Sequence, residues 1–364
     1  MKRELLNLAS AQLYQSCSSI CQIKSSDQRK ENFKQLLTEL TNQSIVLDST
    51  ILSDQEFNVH HSILKFYQQI ATVLDPNNKY ILSKEMRYVL GDLLSTWIPD
   101  ASKYIICATD GDFAITNYNN WDTLNALTRL LYNVEFSHQL ITFYIPKHLT
   151  NDFFYAGVLY HEMGHFVDSY YNIYVDVVDE LEQIMQNNPS DRSNIINSFF
   201  PMLSNPNIAG NQTYFKNILK NYCKEMIADL FGVQYLEKEI LSYLKYICYP
   251  SFDKSSDTHP APNIREQIVS DFINDNNNII IDLIKNTFNK NGLNLAKKYT
   301  DLNIDPTTDT ITFNNNDELH SLIYSLWITY YKGKNIINTS MSNYDYYTTL
   351  NKIAQNSVKH HFGI

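Results

Sequence analysis

The chain has 364 residues, of which 44% are hydrophobic and 19% are charged, and this composition excludes a disordered tail or a fibre. Its 29 lysines and arginines against 39 aspartates and glutamates give a formal net charge of −10. No basic block is long enough to neutralise many phosphates, so we expect no nucleic acid among its partners. No segment approaches the roughly 20 apolar residues that a membrane-spanning helix needs. We therefore expect a soluble protein without a membrane span.

The first hundred residues have the spacing of helices. Apolar residues recur three and four positions apart from Phe57 to Leu74, the pattern of a helix with one buried face. Ser53 and Glu56 precede that segment at the spacing of a capping box, in which each side chain bonds the backbone of the other. The sequence thus predicts a helix that begins at Ser53.

Two segments in the middle of the chain have the pattern of β-strands. Between Lys103 and Tyr118 the sequences YIICAT and FAIT flank the turn-forming residues Asp110, Gly111 and Asp112, which predicts a short hairpin. A further strand is predicted over Leu140–Ile145, where Pro146 ends it.

Beyond residue 150 the pattern is helical again. We expect long helices over residues 153–171 and 213–241, separated by a loop-like stretch over 187–206 that is rich in Asn, Ser and Pro. Within that stretch, residues 195–203 have room for one short helix. Further helical patterns follow near residues 264–273, 317–331 and 344–361.

These elements predict an α+β fold that is predominantly α-helical, with a small β element. We expect three regions with soft boundaries. They are an N-terminal helical region over residues 1–100, a core over 101–270, and a C-terminal helical region over 271–364.

The sequence YHEMGHF at residues 160–166 places His161 and His165 four residues apart on the predicted helix. Their imidazoles therefore project from one face and can hold one zinc ion. Glu162 lies where its carboxylate can take a proton from an attacking water as general base. The plain alternative is a pair of histidines on a partly buried helix, satisfied by carbonyl groups or water.

A catalytic zinc site has three protein ligands and one open position, and the segment KEMIADLFG supplies a candidate third ligand. Glu225 and Asp229 are again four apart on one helical face, so Glu225 can bind the metal while Asp229 accepts a hydrogen bond from a ligating histidine. Gly164 and Ala228 are small enough to let the two helices approach closely. The alternative for Glu225 and Asp229 is a pair of surface carboxylates. In that case the third ligand would come from acidic residues after the first helix, namely Asp168, Asp176, Asp179 and Glu180.

With these two motifs the sequence resembles the gluzincin type of zinc metallopeptidase, to which thermolysin belongs. The resemblance rests on HEMGH at residues 161–165 and EMIAD at residues 225–229. It implies a zincin-like metallopeptidase core in which His161, His165 and Glu225 bind Zn²⁺. It further implies that Glu162 is the catalytic base and that Asp229 orients a histidine ligand.

The segment THPAPNIR, residues 258–265, is similar to the His-Pro and Arg pattern of the prenyl-protein endopeptidase and heat-shock membrane protease group. Those relatives are embedded in membranes, and this chain lacks their transmembrane helices, so the resemblance extends to the peptidase core alone. It suggests that His259 donates a hydrogen bond to the developing oxyanion and that Arg265 anchors an active-site carboxylate or the substrate backbone. The alternative is a loop histidine and a solvated arginine.

Together these features predict a zinc-dependent endopeptidase that hydrolyses a peptide bond in a protein or peptide substrate. Two alternatives stay open: a zinc-stabilised binding or regulatory protein without catalysis, and a helical interaction protein that binds no zinc. The N-terminus lacks the apolar core of a Sec signal. We therefore expect a cytoplasmic protein with a narrow target, or one exported by another route as a toxin or effector. The sequence leaves the oligomeric state open.

Overall fold

The structure is a computed structural model that describes residues 2–22, 24–25, 27–47, 52–75, 82–112, 114–117, 120–149, 151–239, 254–334 and 341–364. Internal contacts divide the chain into two compact units. Unit 1 comprises Met1–Arg87 and Pro99–Asn151, and unit 2 comprises Tyr88–Ile98 and Asp152–Ile364. Each unit is described separately below.

Four helices of unit 1 pack around one apolar cluster: α1 (Lys2–Cys21), α2 (Gln28–Ile45), α3 (Asp54–Val73) and α5 (Trp121–Tyr132). The helix α4 (Lys84–Trp97) begins in this unit and continues into unit 2. The predicted capping box is present at the start of α3, where Ser53 Oγ accepts from the Glu56 N–H and Glu56 accepts from the Ser53 N–H. The prediction of a helical N-terminal region is confirmed for the described residues.

Unit 1 also contains a three-stranded sheet formed by β1 (Tyr104–Asp110), β2 (Ala114–Asn117) and β3 (Gln139–Ile145). The predicted hairpin is wrong, because β3 lies between the two segments: β1 pairs with it in parallel and β2 antiparallel. The link between β1 and β2 crosses the end of β3, where the Gly111 N–H donates to Ile145 O. A Cβ on Gly111 would lie 2.9 Å from Tyr144 Cδ1. The glycine therefore permits this close crossing.

The sheet belongs to the N-terminal unit because its inward side chains join the core of that unit. Ile105, Cys107 and Leu140 lie in the same buried cluster as Phe33 and Tyr67. The sequence predicts a core over residues 101–270 that holds both the sheet and the histidine motif, whereas the internal contacts group the sheet with the N-terminal helices.

Unit 2 is helical. Its elements after α4 are α6 (Ala156–Tyr171), α7 (Ile173–Asn187), α8 (Pro189–Phe199), α9 (Pro206–Ala209), α10 (Gln212–Leu236), α11 (Pro262–Ile273), α12 (Ile279–Lys290), α13 (Asn316–Lys334) and α14 (Asn343–Phe362). The helices α6 and α10 are the most extensively packed helix pair in the described chain. These two helices carry the predicted motifs.

The stretch over residues 187–206 is more helical than predicted. Its Asn and Pro residues act as helix starts: the Asn188 side chain accepts from the N–H groups of Ser190 and Asp191, and Pro189 occupies the first turn of α8. The predicted helix over 213–241 ends at Leu236, and residues 240–253 lie outside the described part of the chain.

The described residues are mainly helical with one small sheet, which agrees with the predicted α+β class. None of the helices within them is both long enough and apolar enough to cross a bilayer.

Candidate metal centre

The two motif helices bring their polar side chains together inside unit 2. His161 and His165 project from one face of α6, with ring centroids 4.7 Å apart and ring planes nearly perpendicular. Glu225 projects toward them from α10. One donor atom from each of these three residues lies within 4.8 Å of the others, and this is the one such cluster in the described ranges. The predicted ligand set therefore meets at one point.

Gly164 makes this meeting possible, because α6 and α10 touch at backbone distance there. A Cβ on Gly164 would lie 2.8 Å from both Ala228 Cα and Phe231 Cβ, closer than real Cβ contacts allow. The small residue thus sets the separation between the helix that carries the histidines and the helix that carries Glu225. The expectation of a close approach at Gly164 and Ala228 is confirmed.

We predict that Gly164→Ala separates the two helices and weakens metal binding. Overpacking of this kind costs about 1–3 kcal/mol, partly offset by about 1 kcal/mol from the better helix propensity of alanine. Gly157→Ala on the same helix is the matched control, since a Cβ there meets only Leu236 Cδ1 at 3.5 Å. Thermal unfolding and zinc titration of both variants check the prediction, and equal zinc affinity in the two would contradict it.

The Glu225 carboxylate is surrounded by four nitrogens at distances longer than a normal hydrogen bond. Oε1 lies 3.3 Å from His165 Nε2 and 3.5 Å from His259 Nε2, and Oε2 lies 3.5 Å from His161 Nε2 and 3.4 Å from an Arg265 guanidinium nitrogen. Oε2 is buried and has no hydrogen-bond partner among the described residues. Ligands about 2.0–2.2 Å from a tetrahedral zinc are about 3.3–3.6 Å from one another. The two His–Glu distances, each to a different oxygen of Glu225, fall in that range.

Behind the three ligand candidates, Asp229 links a histidine to an arginine. Asp229 is fully buried, and its Oδ1 lies 3.0 Å from His161 Nδ1. Arg265 is 4% exposed and donates to both carboxylate oxygens of Asp229 at 2.7 Å. The arginine is therefore buried rather than solvated, and it anchors a carboxylate as one predicted role required. Glu225, at 7% exposed, is likewise no surface carboxylate.

The formal charges of this cluster leave a negative excess. Glu162, Glu225 and Asp229 are buried carboxylates, and Arg265 is a permanent cation that pairs with Glu225 and Asp229. With neutral histidines two negative charges are uncompensated, which is the charge that a divalent cation neutralises.

The pKa values in the metal-free cluster reflect the same imbalance. Burial by itself would lower the pKa of His161, but the carboxylates of Asp229 and Glu225 outweigh it and raise that pKa to about 10. Burial would raise the pKa of Glu225, yet His165, His161 and Arg265 hold it well below its usual range. Burial would also raise the pKa of Asp229, but Arg265 and His161 outweigh it and lower that pKa. A metal that binds here must therefore displace a proton from His161.

Glu162 and His259 are the two residues that the sequence predicts to act in catalysis. Glu162 follows His161 on α6, and its carboxylate has no hydrogen-bond or ion-pair partner within the described part of the chain. The His259 side chain is 57% exposed, and its Nδ1 lies 2.8 Å from Thr258 Oγ1. The His259 side chain is thus accessible from outside the site, whereas Glu162 is buried.

The loop that carries His259 is tied to α10. The Tyr222 hydroxyl donates to Ser256 O at 2.9 Å, and the Asn221 side chain donates to Asp257 O at 3.1 Å. The Tyr214 hydroxyl donates to the Asp257 carboxylate. These bonds hold the loop against the helix that carries Glu225.

The acidic residues proposed as substitutes for Glu225 do not join the cluster. Asp168 is buried and accepts from the Tyr174 N–H at 2.7 Å, so it supports the turn between α6 and α7. Burial raises the pKa of Asp168 to about 6 against the lowering effects of Tyr174 and the nearby cations. Asp176 and Asp179 are exposed on α7.

Comparisons with known proteins identify no relative of this chain. No family model, curated protein or solved structure matches this chain. The interpretation of the site therefore depends on the motifs and on the geometry described above.

One set of polar residues beside the motif is not predicted by the sequence. Tyr160, His320 and Asp92 form a chain of hydrogen bonds beside α6, in which Tyr160 and His320 are buried and Asp92 is partly exposed. Tyr160 precedes the first histidine of the motif, but His320 and Asp92 lie 160 and 68 residues away from it along the chain. No local pattern connects them.

Proposed function

We propose that this protein is a zinc-dependent endopeptidase with a zincin-like core, in which His161, His165 and Glu225 hold the metal. The observation that carries the proposal is the convergence of a His–His–Glu set, with Glu162 next to the first histidine on the same helix. Two imidazoles and one carboxylate, with a fourth position left open, are the donor set of catalytic rather than structural zinc sites.

The choice of zinc is supported by the donors and by their surroundings. Imidazole and carboxylate are donors that suit zinc, and each histidine has an Nε2 within 3.5 Å of a Glu225 oxygen. Glu225 Oε2, which has no hydrogen-bond partner in the described part of the chain, and the negative excess both favour a bound divalent cation. Asp229, held by Arg265, fixes the His161 ring so that its Nε2 faces Glu225.

When bound, zinc supplies Lewis-acid chemistry, polarising the scissile carbonyl and lowering the pKa of the attacking water. Glu162 accepts the proton of that water and delivers it to the leaving amine. His259, which is exposed at the rim of the site, donates a hydrogen bond to the oxyanion that develops on the carbonyl. Arg265 and Asp229 are too deeply buried to reach a substrate, so they act on the histidine ligand.

Cleavage of a defined peptide mixture tests the proposal. The zinc-loaded protein is incubated with a proteome-derived peptide library and with unfolded casein, and new N-termini are identified by mass spectrometry. We expect cleavage that a chelator abolishes and added zinc restores, at a restricted set of sites. A protein that binds zinc but produces no new N-termini would be a zinc-stabilised binding protein, and broad degradation of casein would contradict the narrow selectivity.

A further inference from the structure

A chain of hydrogen bonds, buried at Tyr160 and His320 and partly exposed at Asp92, joins three helices beside the metal centre. His320 on α13 is 1% exposed. Its Nδ1 lies 2.7 Å from the Tyr160 hydroxyl on α6, and its Nε2 lies 3.1 Å from Asp92 Oδ2 on α4. Asn316, one turn before His320, donates to the other oxygen of Asp92 at 3.0 Å. Because a carboxylate only accepts, Nε2 carries the proton, and in the neutral ring Nδ1 accepts from the Tyr160 hydroxyl.

The same chain also contacts the helix that carries Glu225. The Tyr235 ring of α10 packs against Tyr160 and His320, with centroid distances of 5.5 and 5.3 Å. The Tyr235 hydroxyl accepts from Trp97 Nε1 on α4 at 2.8 Å. Both ligand-bearing helices are thereby fixed to α4 and α13 at one place.

The orientation of α6 matters because its histidines must meet a ligand on a second helix, α10. A Cβ on Gly164 would lie 2.8 Å from Ala228 Cα, so this close approach sets the distance between the two helices. The direction in which the histidines point also depends on the rotation of α6 about its axis. A zinc site tolerates ligand distances that vary by only about 0.2 Å. Hydrogen bonds are directional, and Tyr160 is the residue next to His161, so a bond at its hydroxyl fixes the rotation of α6 at the ligand itself.

We propose that Tyr160, His320 and Asp92 are positioning residues that hold the two histidines in register with Glu225. Their function is to orient the metal-binding helix, at a distance from the metal and from any substrate. The inference rests on the proposed metal site. Through these three residues the orientation of α6 at that site depends on α4 and α13.

Zinc affinity in two tyrosine variants tests this inference. Tyr160→Phe deletes one buried hydroxyl and keeps the ring. Unit 1 offers a matched control, because the Tyr132 hydroxyl lies 2.6 Å from the buried His60 Nδ1, so Tyr132→Phe removes an equivalent tyrosine–histidine bond in the other unit. Competition with a chromophoric chelator gives the dissociation constant for zinc, and thermal unfolding of each metal-free variant gives the loss of stability.

We expect Tyr160→Phe to weaken zinc binding about ten-fold, at the lower end of what outer-shell substitutions cost, while Tyr132→Phe leaves it unchanged. The double variant Tyr160→Phe/His320→Asn should bind zinc no more weakly than His320→Asn alone, since both act through one chain. Unchanged affinity in Tyr160→Phe, or an equal loss in Tyr132→Phe, would overturn the inference and leave the metal site standing. Absence of zinc binding in the wild type would overturn the metal site itself.

Discussion

Glu162→Gln is expected to keep the zinc and to lose peptide cleavage. The carboxylate belongs to none of the three proposed ligands, and no described side chain pairs with it, so the amide leaves both the metal ligands and the ion pairs intact. An amide cannot take the proton of the attacking water. Loss of a general base lowers the turnover number about 10²–10⁴-fold. The measurement is kcat on a peptide cleaved by the wild type, with the zinc content of both proteins determined alongside.

The matched control for this variant is Glu266→Gln, an equivalent change at a residue of α11 that lies outside the metal cluster. It should cleave at the wild-type rate. Equal turnover in Glu162→Gln and the wild type would show that Glu162 is not the base. Loss of zinc from Glu162→Gln would instead place this carboxylate among the ligands.

Arg265→Met is expected to destabilise unit 2 and to weaken zinc binding together. The variant leaves Asp229, which is fully buried, without the two bonds that Arg265 donates, and it removes the cation nearest Glu225 Oε2. Removing one partner of a buried ion pair costs about 3–5 kcal/mol. The His161 ring then loses its fixed support, and zinc affinity should fall about 10–100-fold.

Urea unfolding of the metal-free protein, followed by tryptophan fluorescence, measures how much Arg265→Met destabilises unit 2. Two of the three tryptophans, Trp97 and Trp327, lie in unit 2. Lys332→Met is the control, because its ion pair with Asp301 is exposed and such pairs contribute less than about 1 kcal/mol. Arg265→Lys should fall between the wild type and Arg265→Met, since lysine keeps the charge but loses the two-pronged geometry. If Arg265→Met unfolds at the same urea concentration as Lys332→Met, the role assigned to this ion pair is wrong.

The parts of the site that the sequence predicts are those set by local geometry. Helical periodicity alone places His161 beside His165, and Glu225 beside Asp229, on one face of each helix. The capping box at Ser53 depends on two residues three positions apart and was predictable for the same reason. Local spacing also identified Gly164 as the point of close approach.

The parts that escaped prediction depend on contacts between distant segments. The predicted hairpin is wrong because β3, which follows β2 by more than twenty residues, lies between β1 and β2 in the sheet. The sequence predicts a loop where α8 begins, because Asn188 and Pro189 favour both turns and helix starts. The pairing of His320 with Asp92 spans 228 residues, and no periodicity relates positions so far apart.

The most direct test of the metal centre is the zinc content of the purified protein, measured by elemental mass spectrometry with His161→Ala and Glu225→Ala alongside. The proposed site predicts about one zinc per wild-type chain, and less in both variants, because each removes one of three ligands. A wild-type protein that takes up no zinc when zinc is supplied would contradict the site. Retention of zinc in Glu225→Ala but not in His161→Ala would contradict the assignment of Glu225 as the third ligand.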